Sequence, residues 1–271
     1  MPKDSGKQVK SLLNKYALVT GASGGLGREF VLELVERGYH VILLARNKER
    51  LDYFAHNLLL MDHQMVKTFE CDITKDDQVK TVFDYLINNE IKIDMLINNA
   101  GYDYEGWFKK ASHEDTISIA QVNVLGTLNM IHRILDVKAK ELTIINVASL
   151  AGFFPMPMKA VYSASKRFII ELTRTLNYEL KDDNVHLTVL CPAGMPTKIE
   201  VLNKIKALGL IGAMTTVNFN IVVKKTIDKA LKKKEIYIPG WLNVFMLKIS
   251  LLIPRRRLVK KLGKKWKRTF E

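Results

Sequence analysis

Apolar positions along the chain follow two alternating rhythms. Seven short runs rich in Val, Ile, Leu and Tyr recur: "YALVTG" from Tyr16, "HVILLAR" from His40, "MVKTFECD" from Met65, "DMLINNAG" from Asp94, "LTIINVAS" from Leu142, "VHLTVLCP" from Val185 and "EIYIP" from Glu235. The first six are nearly continuous in apolar character, as expected of strands covered on both faces in a parallel sheet. Between them apolar residues recur at helical spacing. After the first run, Leu26, Phe30, Val31, Leu34 and Val35 make one face, and Gly38 supplies a C-terminal stop. Strand followed by helix, repeated, predicts a doubly wound α/β domain with a seven-stranded parallel sheet and helices on both faces.

The chain has 271 residues, 48% of them hydrophobic, enough to bury a large core within one domain. No repeat, low-complexity segment or Pro/Gly/Ser linker divides it, so residues 1–271 read as a single domain with two departures: an apolar stretch at 198–212 and an apolar then basic extension at 241–271. Cys71 and Cys191 end apolar runs, where buried free thiols are commoner than a bridge. The N-terminal stretch has lysines but no apolar core or cleavage site of a signal peptide, so a cytoplasmic location is expected. The net charge of +14 is uneven. From Arg255 onward nine basic residues face one acid, Glu271, so a mildly basic body carries a strongly basic end.

"LVTGASGGLGREF", Leu18 to Phe30, carries two overlapping motifs. Gly21, Ser23 and Gly25 satisfy G-x-S-x-G, the elbow of a serine hydrolase; Gly21, Gly25 and Gly27 give a spacing suited to a dinucleotide. The hydrolase reading needs a histidine on a loop beyond the late strands, whereas the last of the six histidines, His186, lies inside a strand run. In the dinucleotide reading, Gly21 turns the chain, Gly25 admits backbone to a pyrophosphate, and Gly27 lets the helix pack closely, with its N-terminus offering N–H donors. An acid usually ends the second strand of an NAD-binding protein; Arg46 stands there, with Lys48 and Arg50 close behind. A guanidinium suits a 2′-phosphate, which favours NADP(H) over NAD(H).

Tyr162 and Lys166 are four apart in an amphipathic segment continuing through Phe168, Ile169, Leu172, Leu176 and Leu180, so both lie on one helix face. A phenol of pKa ~10 is a poor acid or base near neutrality, and a neighbouring ammonium favours its phenolate. Ser149, at the end of the fifth strand run, could share the same substrate oxygen. With "TGASGGLG", "CD" ending in Asp72, "NNAG" from Asn98, "VNVLGT" with Asn123, "NVAS" ending in Ser149, Tyr162-x-x-x-Lys166 and "CPAGMPT" from Cys191, the chain resembles the short-chain dehydrogenases/reductases from about Lys15 to Gly240. The resemblance implies a Rossmann-type fold and a catalytic set of Asn123, Ser149, Tyr162 and Lys166. Tyr162 would transfer the proton, Ser149 orient the carbonyl, Lys166 tune the phenol and bind the nicotinamide ribose, and Asn123 hold a relay water. It implies cofactor contacts from Gly21, Ser23, Gly25, Leu26, Gly27, Asp72, Ile73, Asn99, Tyr162 and Lys166, and from Pro192 to Thr197, together with a homodimer or homotetramer. Three positions depart from the family pattern: Ala148 for a second serine, Ala193 for glycine, and Gly24 where many NADP-dependent members carry a basic residue.

"GFFPMPM", Gly152 to Met158, lies between Ser149 and Tyr162 and should border the substrate. Ile199, Leu202, Ile205 and Leu208 share a helical face where the family has a mobile lid. Both fit a hydrophobic ketone or secondary alcohol of hydroxysteroid or 3-oxoacyl type, and equally fit core or subunit contacts. The apolar run Trp241–Ile253 contains Lys248 and is too short to span a bilayer. Followed by dense Arg and Lys, it suits either an anionic membrane surface or a helix covering the pocket or a subunit interface before a solvated tail. No nucleic-acid recognition motif is present. No cluster has metal-site spacing, and Asp76, Asp77 and Asp94 read as solvated helix-start and loop acids. The expectation is an NADP(H)-preferring oxidoreductase; the rival is a noncatalytic nucleotide-binding module at a membrane surface, which has no need of Tyr162.

Overall fold

The structure, a computed structural model, describes residues 15–59, 65–193 and 218–270. Its seven strands are β1 (Tyr16–Thr20), β2 (His40–Ala45), β3 (Val66–Glu70), β4 (Ile93–Asn98), β5 (Lys138–Val147), β6 (Val185–Leu190) and β7 (Ile236–Tyr237). They form one parallel sheet in the order β3-β2-β1-β4-β5-β6-β7. Side chains from alternate strand positions enter opposite cores: Ala17, Val19, Val41 and Leu43 on one face, Leu18, Ile42 and Leu44 on the other. This double burial is why the strands read as unbroken apolar runs.

The intervening helices are α1 (Gly25–Glu36), α2 (Lys48–Leu59), α3 (Asp76–Asn88), α4 (His113–Ala120), α5 (Thr127–Ile134), α6 (Ala160–Glu179) and α7 (Phe219–Leu231). The chain closes with α8 (Trp241–Leu251) and α9 (Arg255–Phe270). On α1 the five expected apolar residues are all buried. Its end is a Schellman turn: Gly38 N–H donates to Val35 O at 2.9 Å, Tyr39 N–H to Leu34 O at 3.0 Å, and Gly38 takes φ +81°. Asp76 and Asp77 stand in the first turn of α3, where acids meet the positive helix end.

Four local readings need correction. Strand β5 starts at Lys138, four residues before Leu142, because its polar "KAKE" end carries no apolar signal and meets β4 through a register shift between Ile93 and Met95. Strand β7 is only two residues long. Phe168 is exposed on α6, and the buried face there is held by Ile169, Ile170 and Thr173. Asp94 is not a solvated loop acid: it lies within β4 and accepts the Tyr16 backbone N–H at 2.9 Å, and burial raises its pKa. Cys71 and Cys191 are free and buried, and burial pushes both thiols up to about 12.

Because β1 lies between β2 and β4, the first two crossovers, to β2 and then β3, run one way and those from β4 onward run the other. A crevice opens at the carboxyl ends where the two directions part. The α1 stop gives a direct test of local backbone energetics. A Cβ at Gly38 would meet nothing within 4 Å, so Gly38→Ala changes only the cost of the left-handed backbone. It should lower stability by about 1 kcal/mol with an unchanged denaturant slope in urea unfolding; an unaltered midpoint would contradict the turn.

Candidate active site

At the crevice, β1 ends on Thr20 and the chain turns through Gly21 (φ +64°) and Gly25 (φ +49°) into α1. A Cβ at Gly27 would stand 2.2 Å from Gly21 O and 2.6 Å from Asn99 Nδ2, so only glycine allows this helix to approach its own loop. The loop is braced from β4. Thr20 Oγ1 accepts N–H groups of Asn99 and Ala100, each at 3.0 Å, while Asn99 Nδ2 donates to the carbonyls of Thr20 and Gly21, each at 3.1 Å. Asn99 therefore acts on the glycine loop, and Leu26 is buried in the core. The Gly24 cap lends no side chain to the start of α1, whose first N–H groups suit an anion.

Beside the loop is a cleft of about 340 Å³ lined by Gly21, Ser23, Arg46, Asp72, Ile73 and Tyr102, among others. Asp72 is fixed by Thr74, whose N–H and hydroxyl both donate to its Oδ1. Ile73 packs at Gly126, where a Cβ would lie 2.7 Å from the Ile73 side chain. Arg46 is exposed at the cleft. Lys48 is paired with Asp52 at 2.9 Å, but Arg50 reaches the glycine loop: its Nη2 lies 3.6 Å from the position of a Cβ on Gly24. A guanidinium from α2 thus occupies the region that a basic side chain at Gly24 would reach.

The second half of the site forms where β5 ends against α6. Lys166 is 6% exposed, and its ammonium donates to Val147 O at 3.0 Å. Gly101 packs alongside, where a Cβ would be in ordinary contact with Nζ at 3.5 Å. One turn earlier, Tyr162 is half-buried with its ring centre 5.7 Å from Lys166 Nζ and 5.1 Å from Lys159 Nζ. Ser149 stands beside Tyr162 and favours its ionised form. Ser149 Oγ accepts Ala151 N–H at 3.1 Å and lies 3.5 Å from Pro192 O, which also receives Leu150 N–H at 2.8 Å. The ends of β5 and β6 are so tied together.

Asn123 lies in a π-helical segment, Gln121–Gly126, joining α4 to α5. The wider turn carries its amide inward, a frequent form of helix irregularity at functional sites. Asn123 Oδ1 accepts Tyr102 N–H at 2.9 Å, and Nδ2 donates to Tyr102 O and Ser165 Oγ, each at 3.0 Å. Ser165 in turn donates to Tyr162 O at 2.8 Å, so Asn123 is joined to the helix carrying Tyr162 and Lys166.

Electrostatics in the protein alone differ from the expected tuning by Lys166. Burial pushes the Tyr162 phenol up to about 12; Asp103 adds to this and the Ser149 hydroxyl opposes it. Burial also lowers Lys166 to about 8, against an opposing pull from Asp103. Asp103 is paired with Lys159, which also lies 3.5 Å from Glu105. This acid and base, together with Ser165 and the Arg50 approach, escaped the sequence reading. Ser165 sits within "YSASK" and could have been noticed, whereas the others depend on tertiary placement. Thr197 and the stretch 198–212 lie outside the described residues.

Comparison with known proteins identifies the family. The family model for short chain dehydrogenase matches residues 15–206. A very-long-chain 3-oxoacyl-CoA reductase of Laccaria bicolor is 33% identical over 71% of this chain and 58% of its own length. The chain thus spans little more than half of that relative. The NADPH-dependent 1-acyldihydroxyacetone phosphate reductase of Saccharomyces cerevisiae is 35% identical, covering 71% of this chain and 65% of its own. Human 17-beta-hydroxysteroid dehydrogenase type 3 is 30% identical over 83% and 69%. Among solved structures, a 7beta-hydroxysteroid dehydrogenase has the same fold with a TM-score of 0.83 at 20% identity, covering 94% of this chain and 98% of its own. With its parallel sheet, glycine-loop crevice and Ser149, Tyr162 and Lys166 drawn together, the chain belongs to the short-chain dehydrogenase family of oxidoreductases.

Proposed function

We propose that the protein is an NADP(H)-preferring reductase that interconverts a hydrophobic ketone and its secondary alcohol. The observation that carries this reading is the convergence of a phenol, a hydroxyl and a buried ammonium beside the glycine-loop crevice. The residues fit a dinucleotide. The loop tolerates no side chain at Gly27, the α1 start is uncapped, and Val147 O is the only hydrogen-bond acceptor of the Lys166 ammonium among the described residues. An ammonium has three N–H donors, and the two others suit a ribose diol. Gly21, Ser23, Gly25 and the backbone of Leu26 and Gly27 would hold the pyrophosphate, Asp72 and Ile73 the adenine side, and Tyr162 and Lys166 the nicotinamide ribose. Pro192 to Thr197 would border the carboxamide. A bound nicotinamide supplies hydride chemistry.

The chain's own task is to place the carbonyl and move a proton. Ser149 Oγ donates to the substrate oxygen and orients it, and Tyr162 Oη gives that oxygen its proton as the alcohol forms. With its pKa raised, the phenol remains protonated through the neutral range, which suits reduction. Lys166 supplies positive charge beside the phenol, and Asn123 holds the local backbone and orders a relay water. The hydrophobic substrate is supported by the apolar and aromatic Gly152–Met158 segment between Ser149 and Tyr162. The relatives' names, a very-long-chain 3-oxoacyl-CoA reductase, a 1-acyldihydroxyacetone phosphate reductase and a hydroxysteroid dehydrogenase, point the same way. Exposed Ile117, Leu125 and Phe168 on the α4 to α6 side support a homodimer or homotetramer, and a monomer by light scattering would remove that part of the reading. Two buried free thiols suit a reducing cytoplasm.

The deciding experiment is NADPH oxidation, with NADH in parallel, over steroid, 3-oxoacyl and small aromatic ketones. Turnover should prefer NADPH and fall by about two to four orders of magnitude in Tyr162→Phe. Tight NADPH binding with no turnover of any ketone would favour the noncatalytic reading. The NADP preference has its own test in the two guanidiniums: Arg46→Ala and Arg50→Ala should each lower kcat/KM for NADPH about tenfold while leaving NADH little changed. An equal loss with both nucleotides would exclude a 2′-phosphate role. Lys166 is positively charged below about 8 and neutral above it. Thus kcat/KM for NADPH, which reports the free enzyme, should fall as pH rises through that value; a flat profile up to the lysine's ordinary range would count against the charge being needed.

A further inference from the structure

We infer that α8 and α9 form a docking surface for an anionic lipid bilayer, and that this surface adjoins the wall of the substrate site. On α8, Trp241, Phe245 and Ile249 are 74%, 54% and 44% exposed, and Leu252, just past the helix end, is 84% exposed. At 100° per residue these four side chains fall within one narrow arc, with Lys248 on its edge, while buried Asn243 and Leu247 occupy the opposite side. A contiguous exposed apolar stripe of this kind is unusual on a soluble surface. Asn243 and Leu247 are buried, so the inner face packs against the body and the outer face is the stripe, while Asn243 Nδ2 donates to Pro239 O, just before the helix, at 2.7 Å.

The next helix supplies charge in the same orderly way. On α9, Leu258 is buried and Leu262 half-buried, Arg256, Arg257, Lys260 and Lys264 are exposed on the far side, and Lys261 is exposed on the flank. The apolar edge of α9 therefore packs inward and its cations face out. No acidic residue occurs from Trp241 to Phe270. A second copy meeting this face would bring the same positive charge, and a nucleic acid would offer no aliphatic phase to the α8 stripe. An anionic bilayer provides both an acyl boundary for Trp241, Phe245, Ile249 and Leu252 and phosphate or carboxylate headgroups for the cations. At a rise of 1.5 Å per residue α8 is about 16 Å long, half of a hydrocarbon core, so it lies along the interface. No described helix is long and apolar enough to cross a membrane.

The position of α9 links the surface to the chemistry. A Cβ at Gly263 would lie 3.5 Å from Pro157 Cγ, so the helix rests on the Gly152–Met158 segment that leads from Ser149 to Tyr162. Docking through α8 and α9 would set this wall beside the bilayer, where a hydrophobic ketone is concentrated. That last step rests on the reading of a hydrophobic substrate; the docking itself does not.

The test is sedimentation of the full chain with vesicles of phosphatidylcholine alone and of phosphatidylcholine mixed with phosphatidylserine, at low and high salt. The expected result is binding to the anionic vesicles at least about tenfold stronger than to the neutral ones and weakened by salt. It should be lost in the triple variant Trp241→Ser, Phe245→Ser, Ile249→Ser and in the quadruple variant Arg256→Gln, Arg257→Gln, Lys260→Gln, Lys261→Gln. Both variants should keep the parent's circular dichroism and NADPH affinity, which verifies folding without relying on turnover. Failure to bind, equal binding to the two vesicle types, or binding retained by both variants would overturn the proposal. So would a serine variant that changes only the oligomeric state, which would place the stripe between copies of the chain. Vesicle binding with no ketone turnover would leave the docking surface standing and remove the reductase reading; turnover without vesicle binding would do the reverse.

Discussion

A lysine ammonium held out of water is the constraint around which the site is arranged. Taking such a charge out of solvent is unfavourable, and the fall of Lys166 to about 8 records that cost. The fold meets it with one backbone carbonyl, that of Val147 at the end of β5, and packs Gly101, just after β4, alongside. Asp103 adds a favourable field from the same β4 loop. Two strand ends and one helix must therefore be in register before the cation is tolerable. The same register brings Ser149 to Tyr162.

The supports for that register are polar and buried. Asn98 Nδ2 donates to Asn146 Oδ1 at 2.9 Å, and Asn146 Nδ2 donates to Thr173 Oγ1 at 3.0 Å, joining β4, β5 and α6 through the interior. Nearer the site, Asn123 joins the Tyr102 backbone to Ser165 on α6. A buried amide left without partners is costly, so each link favours one arrangement of its neighbours over a slipped one. The hydrophobic core could be filled in several ways, whereas these amide links form in few, and Asn98 Oδ1 stays buried without a partner among the described residues even here.

The sheet was legible because the strands are buried on both sides and show it in every residue. Legibility faded where burial did. The polar beginning of β5 and the two residues of β7 lie at margins where neither apolar runs nor alternation are needed. Phe168 misled because hydrophobicity alone does not say which edge of a helical face meets the core. At the site, the glycine loop, Ser149, Tyr162 and Lys166 stood out because their spacings are constrained locally by a strand end or a helix turn. The Asp103–Lys159 pair and the approach of Arg50 to Gly24 join residues far apart in sequence, and no local rhythm marks them. Asp94 was misjudged for a similar reason: its partner is the backbone of Tyr16, a contact that exists only once β1 and β4 adjoin.

The interior position of β1 also imposes an order on synthesis. Its two neighbours in the sheet are β2, which follows within about one helix, and β4, which begins only at Ile93. At bacterial to eukaryotic elongation rates, roughly ten seconds separate the emergence of β1 from that of its second partner. During that interval β1, β2 and β3 can assemble, but one edge of β1, including Leu18, faces no strand and one side of the crevice is missing. An open apolar edge is the form of chain most prone to pair with another. The strand that carries the nucleotide loop is therefore the one whose protection, during translation, arrives late.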